Sequence, residues 1–380
     1  MYQVTDDFIQ SLRFTHQVYA TLTVTPPSGD PVSLGIQSGS VTANYQQGTR
    51  RTADISVYAV GTLAGGGSVP ASDVAAMLKR AGTICRVEAG ISSSLISRIM
   101  IPMVTGSPSD VAWRVGDGLI DLNVTDDWWR VSQGRFTIAW TPNAGVKRAT
   151  AVSTLMQQAA PDRQVVNSAS DIGTIQSQGD WGVNRDAAIN TLATDGGFDA
   201  YFDREGRIHL EDSKNSDDPI VWTASAGDGG VLVSAETGLD VQRLYNTVVV
   251  KPSATDNSQN WTAQTASLTT GDRAPANLGV IVPYFLASPT ISSATDALRV
   301  ARQQLSKVTG TPETLQADMI GNPALDEGDV IEVLIPGNEV EGTATTLWRY
   351  YVDTITWDLL TGGMTVKARN EGEVSENAGD

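Results

Sequence analysis

Within the first 147 residues, short apolar and polar alternations follow one another so closely that a strand-built fold is the way to satisfy them. Val18, Ala20, Leu22 and Val24 fall on one face of a stretch whose other face carries Gln17, Tyr19, Thr21 and Thr23, and Pro26-Pro27-Ser28-Gly29 ends it. Val41-Ala43-Tyr45, Ala53-Ile55-Val57-Ala59, Cys85-Val87-Ala89, Ile99-Ile101-Met103, Ile120-Leu122-Val124 and Phe136-Ile138-Trp140 repeat the period. Strands with one apolar face must close on themselves or stack against a second sheet. Residues 1–147 are therefore expected to form a β-barrel or sandwich. Its entry is a short helix capped at Thr5-Asp6-Asp7 that buries Phe8, Ile9 and Leu12.

From Thr150 the period changes. Val152, Leu155, Met156 and Ala159 form a helical stripe, and Ala187, Ala188, Ile189, Leu192 and Ala193 form another that Gly196-Gly197 stops. A hairpin follows: Phe198 to Phe202, a turn at Asp203-Arg204-Glu205-Gly206, and a return over Arg207 to Glu211. Ile220-Val221-Trp222 and Val231-Leu232-Val233 read as short strands around a glycine-rich loop. Residues 148–240 are expected to be a separate α/β module. Residues 241–370 return to β structure, with Trp261 to Leu268 pairing Tyr245 to Lys251, Pro283 keeping its apolar segment off a central position, and a helix over 293–308 opened by the Ser293-Ala294-Thr295-Asp296 box. Gly310 ends that helix, and the acidic stretch 371–380 reads as mobile. The fold class expected is mainly β with an α+β insert: two β-barrel-like domains flanking a small α/β module.

Chemistry is sparse in this sequence. The single Cys85 excludes an intramolecular disulfide, points to a reducing compartment during assembly, and reads as core. His16 and His209 lie at no metal-ligand spacing, so zinc and histidine-dependent acid/base chemistry have no support. Asp199, Asp203, Glu205, Asp212, Asp217 and Asp218 gather around the hairpin, but their spacing matches no EF-hand loop and fits ordinary solvation. Asp329 reads as a turn acid and Arg50-Arg51 as a surface-edge pair. Trp128 and Trp129 suit a β core or a subunit interface, with a carbohydrate platform as the alternative. No catalytic, cofactor-binding or metal residue is assigned, and no cofactor is expected. The formal charge of −17 argues against gripping nucleic acid, and neither a signal peptide nor a membrane-spanning run is expected.

Three segments in order resemble the tail-hub proteins of tailed phages, a fold shared with contractile-tail baseplate hubs and with the first part of VgrG-type spikes. They are the helix, two-glycine break and Tyr201-Phe202-Asp203 hairpin; Tyr245-Asn246-Thr247-Val248-Val249-Val250; and Asn322-Pro323-Ala324-Leu325-Asp326-Glu327-Gly328-Asp329-Val330. The opening resembles the N-terminal domain of actinobacteriophage minor tail proteins, through Met1-Tyr2-Gln3-Val4, the His16 strand, Gly39-Ser40-Val41 and Arg50-Arg51-Thr52-Ala53-Asp54. Ile101-Pro102-Met103-Val104-Thr105-Gly106 departs from that family's mid-domain step.

The resemblance implies a structural, non-enzymatic hub in the virion tail tip, assembled in the bacterial host cytoplasm. It implies a homotrimeric ring that joins the sixfold tube and a distal tail protein ring to tip or fibre proteins. Tape measure and DNA pass through it without specific binding or membrane insertion. A glycan- or receptor-binding tail protein and a tail-associated glycosidase using paired carboxylates are the competing readings.

Overall fold

The computed structural model describes residues 1–369 apart from 47, 115, 171–172, 176–180, 215–217, 240–244, 253–260, 272, 289, 292, 309–312 and 336–345. The acidic stretch 371–380, Asp217, the Ser253 to Asn260 loop and the Gly310 stop lie outside the described residues.

Thr5 caps the first helix as its position predicts, its hydroxyl accepting from the Phe8 amide at 3.4 Å ahead of α1 (Asp6–Ser11), and Phe8 and Leu12 are fully buried. Then come β1 (Gln17–Thr25), β2 (Val32–Asn44), β3 (Arg51–Tyr58), β4 (Gly61–Leu63), β5 (Ser68–Val69), α2 (Ala71–Leu78), β6 (Ile84–Ser92), β7 (Ile99–Arg114) and β8 (Leu119–Thr125). The middle of the chain holds α3 (Trp128–Gln133), α4 (Arg148–Ala159), β9 (Val165–Asn167), α5 (Arg185–Gly196), β10 (Phe198–Phe202) and β11 (Ile208–Asp212). β12 (Ile220–Ser225), β13 (Leu232–Leu239), β14 (Thr247–Pro252), β15 (Gln264–Ser267), α6 (Pro275–Leu278), β16 (Pro283–Ser288) and α7 (Ala294–Val308) lead to β17 (Glu313–Ile320), β18 (Val330–Ile335), β19 (Thr346–Asp358) and β20 (Gly363–Arg369).

The two expected barrels are corrected by one ladder. β2 pairs β19 antiparallel from Asn44 opposite Thr354 to Ser40 opposite Asp358, which makes strands from both ends of the chain members of one 14-stranded sheet. The sheet runs β1-β6-β7-β8-β3-β2-β19-β20-β17-β13, with β18 joining β19 to β12 and β4 and β5 attached to β2. The physical reason is the length of β2, 13 residues. One edge of it serves β1 along Val32 to Gly35 and then β19 along Ser40 to Asn44. A single apolar core follows, in which Val41, Ile55 and Leu122 share a cluster with Ile331, Ile355 and Val366. β12 and β13 pair with β18 and β17, so they extend this sheet and do not pair with each other.

The insert has its own core of α3, α4, α5 and the β10–β11 hairpin, with β9 parallel to β11. Gly197, at φ 77°, ends α5 in the left-handed conformation that a side chain would resist. Phe136 to Trp140 is not a strand. Its amides bond to the Gly182–Val183 backbone, Phe136 and Trp140 pack on the insert core, and Ile138 points to solvent at 79 % exposure. A third core lies where α7 covers the sheet β15-β14-β16, with Pro283 opening the edge strand β16. No helix among the described residues is long and apolar enough to cross a membrane.

Candidate functional site

The hairpin turn at residues 203–206 drives into the rest of the molecule, where ordinary solvation was expected. Asp203 and Arg204 are buried at 8 % and 4 % exposure. Gly206 takes φ 77°, and a Cβ there would stand 3.1 Å from Thr105 Cγ2 and 3.2 Å from its carbonyl oxygen, so glycine lets the turn approach β7. The Thr105 hydroxyl donates to the Arg204 carbonyl at 2.9 Å. Arg204 then reaches the loop after β17, donating to Pro323 O at 2.8 Å, to Leu325 O at 2.9 Å and to the Asp326 carboxylate.

Arg51 arrives at the same carboxylate from β3. Its guanidinium pairs with Asp326 and Glu327 and donates to Met103 O at 3.0 Å. The Met1 ammonium lies 2.6 Å from Asp329, which also accepts from the Asp326 amide at 2.7 Å and lies 3.6 Å from Lys214. Next to it, Arg50 lies 3.5 Å from Asp199 and stacks on the Tyr201 ring at 3.7 Å. Tyr45 donates to Asp199, and Lys307 of α7 lies 3.6 Å from it.

Arg50-Arg51 is therefore a buried pair, not a surface edge, at 6 % and 1 % exposure. Behind it Asp126 accepts from the amides of Arg50, Arg51 and Trp128 at 2.7, 3.0 and 3.0 Å. Burial pushes the Asp126 carboxyl up to about 7 against those three donors.

This ionic junction ties the start of the chain, the insert and the final strands together. Burial raises the Asp326 carboxyl, but Arg204 and Arg51 outweigh it and hold it well below the usual carboxylate range. Asp199 follows the same logic, with Lys307 and Arg50 lowering it against burial. Carboxylates fixed in their charged form by guanidinium groups do not shuttle protons near neutrality, so the cluster suits anchoring rather than acid/base work. A second seam joins α4 and α5 to the end of β16 and to α7: Asp195 accepts from the Ser288 and Thr290 hydroxyls, and Arg148 lies 2.7 Å from Asp296. Burial pushes Asp195 up to about 7.

A second candidate surface is the outer side of the large sheet. Asp110 sits opposite Asn123, Asn123 opposite Asp54, Asp54 opposite Ser40, and Ser40 opposite Asp358. One row along, Thr42 faces Thr356, Thr356 faces Thr365, Thr365 faces Asp318, and Asp318 faces Ser234. Hydroxyls lock the row, with Thr365 donating to Asp318 at 2.8 Å and Ser234 donating to it at 2.9 Å. The alternate residues Val41, Ala53, Val124, Ile355, Val366 and Ala317 fill the core beneath. Along these two rows the face is hydroxyl, amide and carboxylate and crosses strands from both ends of the chain, while Tyr58 and Val233 are exposed apolar groups on β3 and β13. Arg114, Arg349, Lys367 and Arg369 are cations on this side, and Arg114 is paired with Asp121 at 2.7 Å.

The remaining sequence candidates separate. Asp329 is a turn acid and is also buried at 4 % exposure in the junction. Cys85 is fully buried, and burial pushes its thiol up to about 12. His16 is exposed with Nδ1 2.8 Å from Phe14 O, while His209 stacks on Tyr201 with ring centres 5.3 Å apart. Trp128 is core, and Trp129 is 45 % exposed. Among the described residues no group of three His, Cys, Asp or Glu side chains is arranged to hold a metal. Arg204, Lys214, Lys307 and the amino terminus were not picked out by sequence reasoning. Their partners lie far along the chain, and the only local signal was the basic residue in the hairpin turn.

No protein-family model matches the sequence, and no curated protein matches it significantly. Solved structures do match. A tail protein from Neisseria meningitidis MC58 superposes with a TM-score of 0.62 at 11% identity, over 94% of this chain and 98% of that one. The chain has the tail-protein fold. The prophage MuSo2 43 kDa tail protein from Shewanella oneidensis gives 0.56 at 12% identity, covering 93% and 98%. The prophage tail protein gp18 from Listeria monocytogenes EGD-e gives 0.57 at 10%, covering 93% and 96%. A Francisella PdpA-VgrG complex gives 0.51 at 10%, over 96% of this chain and 60% of that chain. The expected likeness to tail hubs and VgrG-type spikes thus holds at the level of fold.

Proposed function

We propose that this chain is a structural, non-catalytic hub of a phage tail tip: a trimeric ring that joins the sixfold tube and its distal ring to tip and fibre proteins. The observation that carries the reading is the pair of polar, acid-bearing rows that cross the sheet from β7 to β13. A polar outer face is ordinary for an antiparallel sheet, and here its width and its carboxylates suit a wall facing translocating DNA, which needs hydration and negative charge. Tape measure and DNA move along that wall without specific binding.

The ionic junction holds the insert rigidly against the wall, and the sheet itself supplies the joint between the two ends of the chain. The functional division follows three of the apolar cores: wall, helix-containing spacer, and the α7-covered sheet. The marks at Met1-Tyr2-Gln3-Val4 and Arg50-Arg51 favour kinship of the opening segment with actinobacteriophage minor tail proteins. The ring assembles in the host cytoplasm and ends in the virion tail.

The test is to image tails reconstituted with this chain by electron microscopy and to measure DNA retention by the purified protein. The reading expects a threefold annulus at the tail tip and no DNA binding at physiological salt. A chain absent from the tip, or one that retains DNA, would refute it.

A further inference from the structure

Asn246, just ahead of β14, has its backbone and side-chain polar groups in use. Its Nδ2 donates to Arg273 O at 3.1 Å and to Val280 O at 2.9 Å, and its Oδ1 accepts from the Val282 amide at 2.8 Å. Its own amide donates to Val282 O at 3.1 Å, and its carbonyl accepts from Leu268 N at 3.0 Å. A buried side chain thus clamps the segment between α6 and β16 onto the β15-β14-β16 sheet. That clamped segment holds Leu278, Val280 and Ile281 outward, Ile281 at 62 % exposure, and Phe285 follows on β16 at 60 %. Exposed apolar groups this close together on ordered backbone mark a contact surface.

β16 is also a strand edge. Among the described residues it pairs β14 alone, from Thr247 opposite Pro283 to Pro252 opposite Ser288. Amides and carbonyls of successive strand residues turn to opposite sides, so β16 after Pro283 presents a row of them away from β14. Tyr284 and Leu286 pack on the core beneath α7, while Phe285 and Ala287 lie on the opposite face beside Val249 and Lys251. Lys251 is exposed, with its ammonium 5.8 Å from the Phe285 ring centre, and it forms no ion pair among the described residues. Edges are commonly blunted by charged side chains, yet β16, PYFLAS, carries none.

Backbone groups at strand spacing select an extended polypeptide, and the ammonium of Lys251 selects a carboxylate on it. A second β16 meeting this one edge to edge supplies no acid, so it would leave both Lys251 side chains without a counter-charge. We propose that β16 receives an extended segment of a different protein as a fourth strand of the α7-covered sheet. That segment carries an apolar residue beside Phe285 and a carboxylate within reach of Lys251, and Val280 and Ile281 prolong the apolar contact past the start of β16. The site lies outside the large sheet and goes beyond the hub reading, because it stands whether or not that sheet lines a passage.

The probe is a short capped peptide that alternates valine and threonine around one glutamate, titrated calorimetrically into the full chain. Saturable binding is expected, with the amides of Phe285 to Ser288 gaining protection from hydrogen exchange. Phe285→Ser and Lys251→Glu, both at exposed positions and so compatible with an unchanged circular dichroism spectrum, should each weaken it by about tenfold. A peptide with lysine in place of glutamate should recover the loss in Lys251→Glu, and N-methylation of alternate peptide amides should abolish binding. Ile138→Asp, on a separate exposed apolar segment, should leave affinity unchanged. Absence of saturable binding, or binding indifferent to N-methylation or to the Phe285 and Lys251 changes, overturns the fourth strand. A wild-type chain whose oligomeric state changes with Phe285→Ser overturns the different protein as occupant, because another copy then holds the edge.

Discussion

Replacing Arg204 with methionine keeps much of the side chain's volume and removes its five donors, so it isolates what the guanidinium does in the junction. In the folded chain that group satisfies Pro323 O at 2.8 Å, Leu325 O at 2.9 Å and the Asp326 carboxylate from a position 4 % exposed. Each buried carbonyl left without a donor costs about 1–3 kcal/mol. Breaking a buried ion pair costs about 3–5 kcal/mol, and the two penalties overlap because one group is being removed. Asp326 retains Arg51 and its side chain is 22 % accessible, which pulls the expectation to the lower end, about 3 kcal/mol.

Urea unfolding of wild type, Arg204→Met, Asp326→Asn and the double variant gives the coupling directly. The cycle should return about 1–3 kcal/mol of interaction energy for residues in such direct contact. A loss below about 1 kcal/mol for Arg204→Met, the size of an ordinary surface change, would refute the view that the junction carries the insert.

The pH dependence supplies a second check. Asp326 has its folded carboxyl held below its unfolded value, so its contribution is present above the unfolded value near 3.9 and is lost as pH falls through the folded one. The gap between wild type and Arg204→Met should therefore hold above about pH 5 and narrow as pH falls below about 4.

Asp195 should behave in the opposite sense. Its folded carboxyl is pushed up to about 7, so stability falls as pH rises from the unfolded value toward 7, and Asp195→Asn should gain in melting temperature relative to wild type between about pH 5 and pH 8. A gain that is flat with pH would sink that assignment. Gly206→Ala meets both a φ of 77° and a Thr105 contact at 3.1 Å, and calorimetry should show a loss of about 1–3 kcal/mol. Cys85, fully buried with its thiol pushed up to about 12, should react with an aromatic disulfide reagent only at the rate of unfolding; rapid labelling of native protein would contradict its place in the core.

What the sequence made legible was local. The stop at Gly196-Gly197, the hairpin closed by Gly206 and the cap at Thr5 each depend on neighbours within a few residues, and the structure has all three. The alternations in β1, β3 and β8 were readable because one face of each is core. Phe136 to Trp140 shows the limit of that signal, since the same spacing arises in a segment whose two aromatics lean on helices while Ile138 faces water.

The architecture was decided by contacts that no window contains. Ser40 to Asn44 meets Thr354 to Asp358 across most of the chain, and Arg51 finds its carboxylates at Asp326 and Glu327. A basic pair followed by a strand looks the same whether those acids are present or absent, so its burial was invisible from the residues beside it. Yet the two long-range facts belong together. The β2–β19 ladder brings the loop after β17 beneath the start of β3, and that is where Arg51 needs a partner and where the inserted hairpin delivers Arg204. The pairing that merges the strands into one sheet and the burial of these charges thus occupy the same place in the fold. A variant that unzips the ladder at Ser40 to Asn44 should therefore also release the insert.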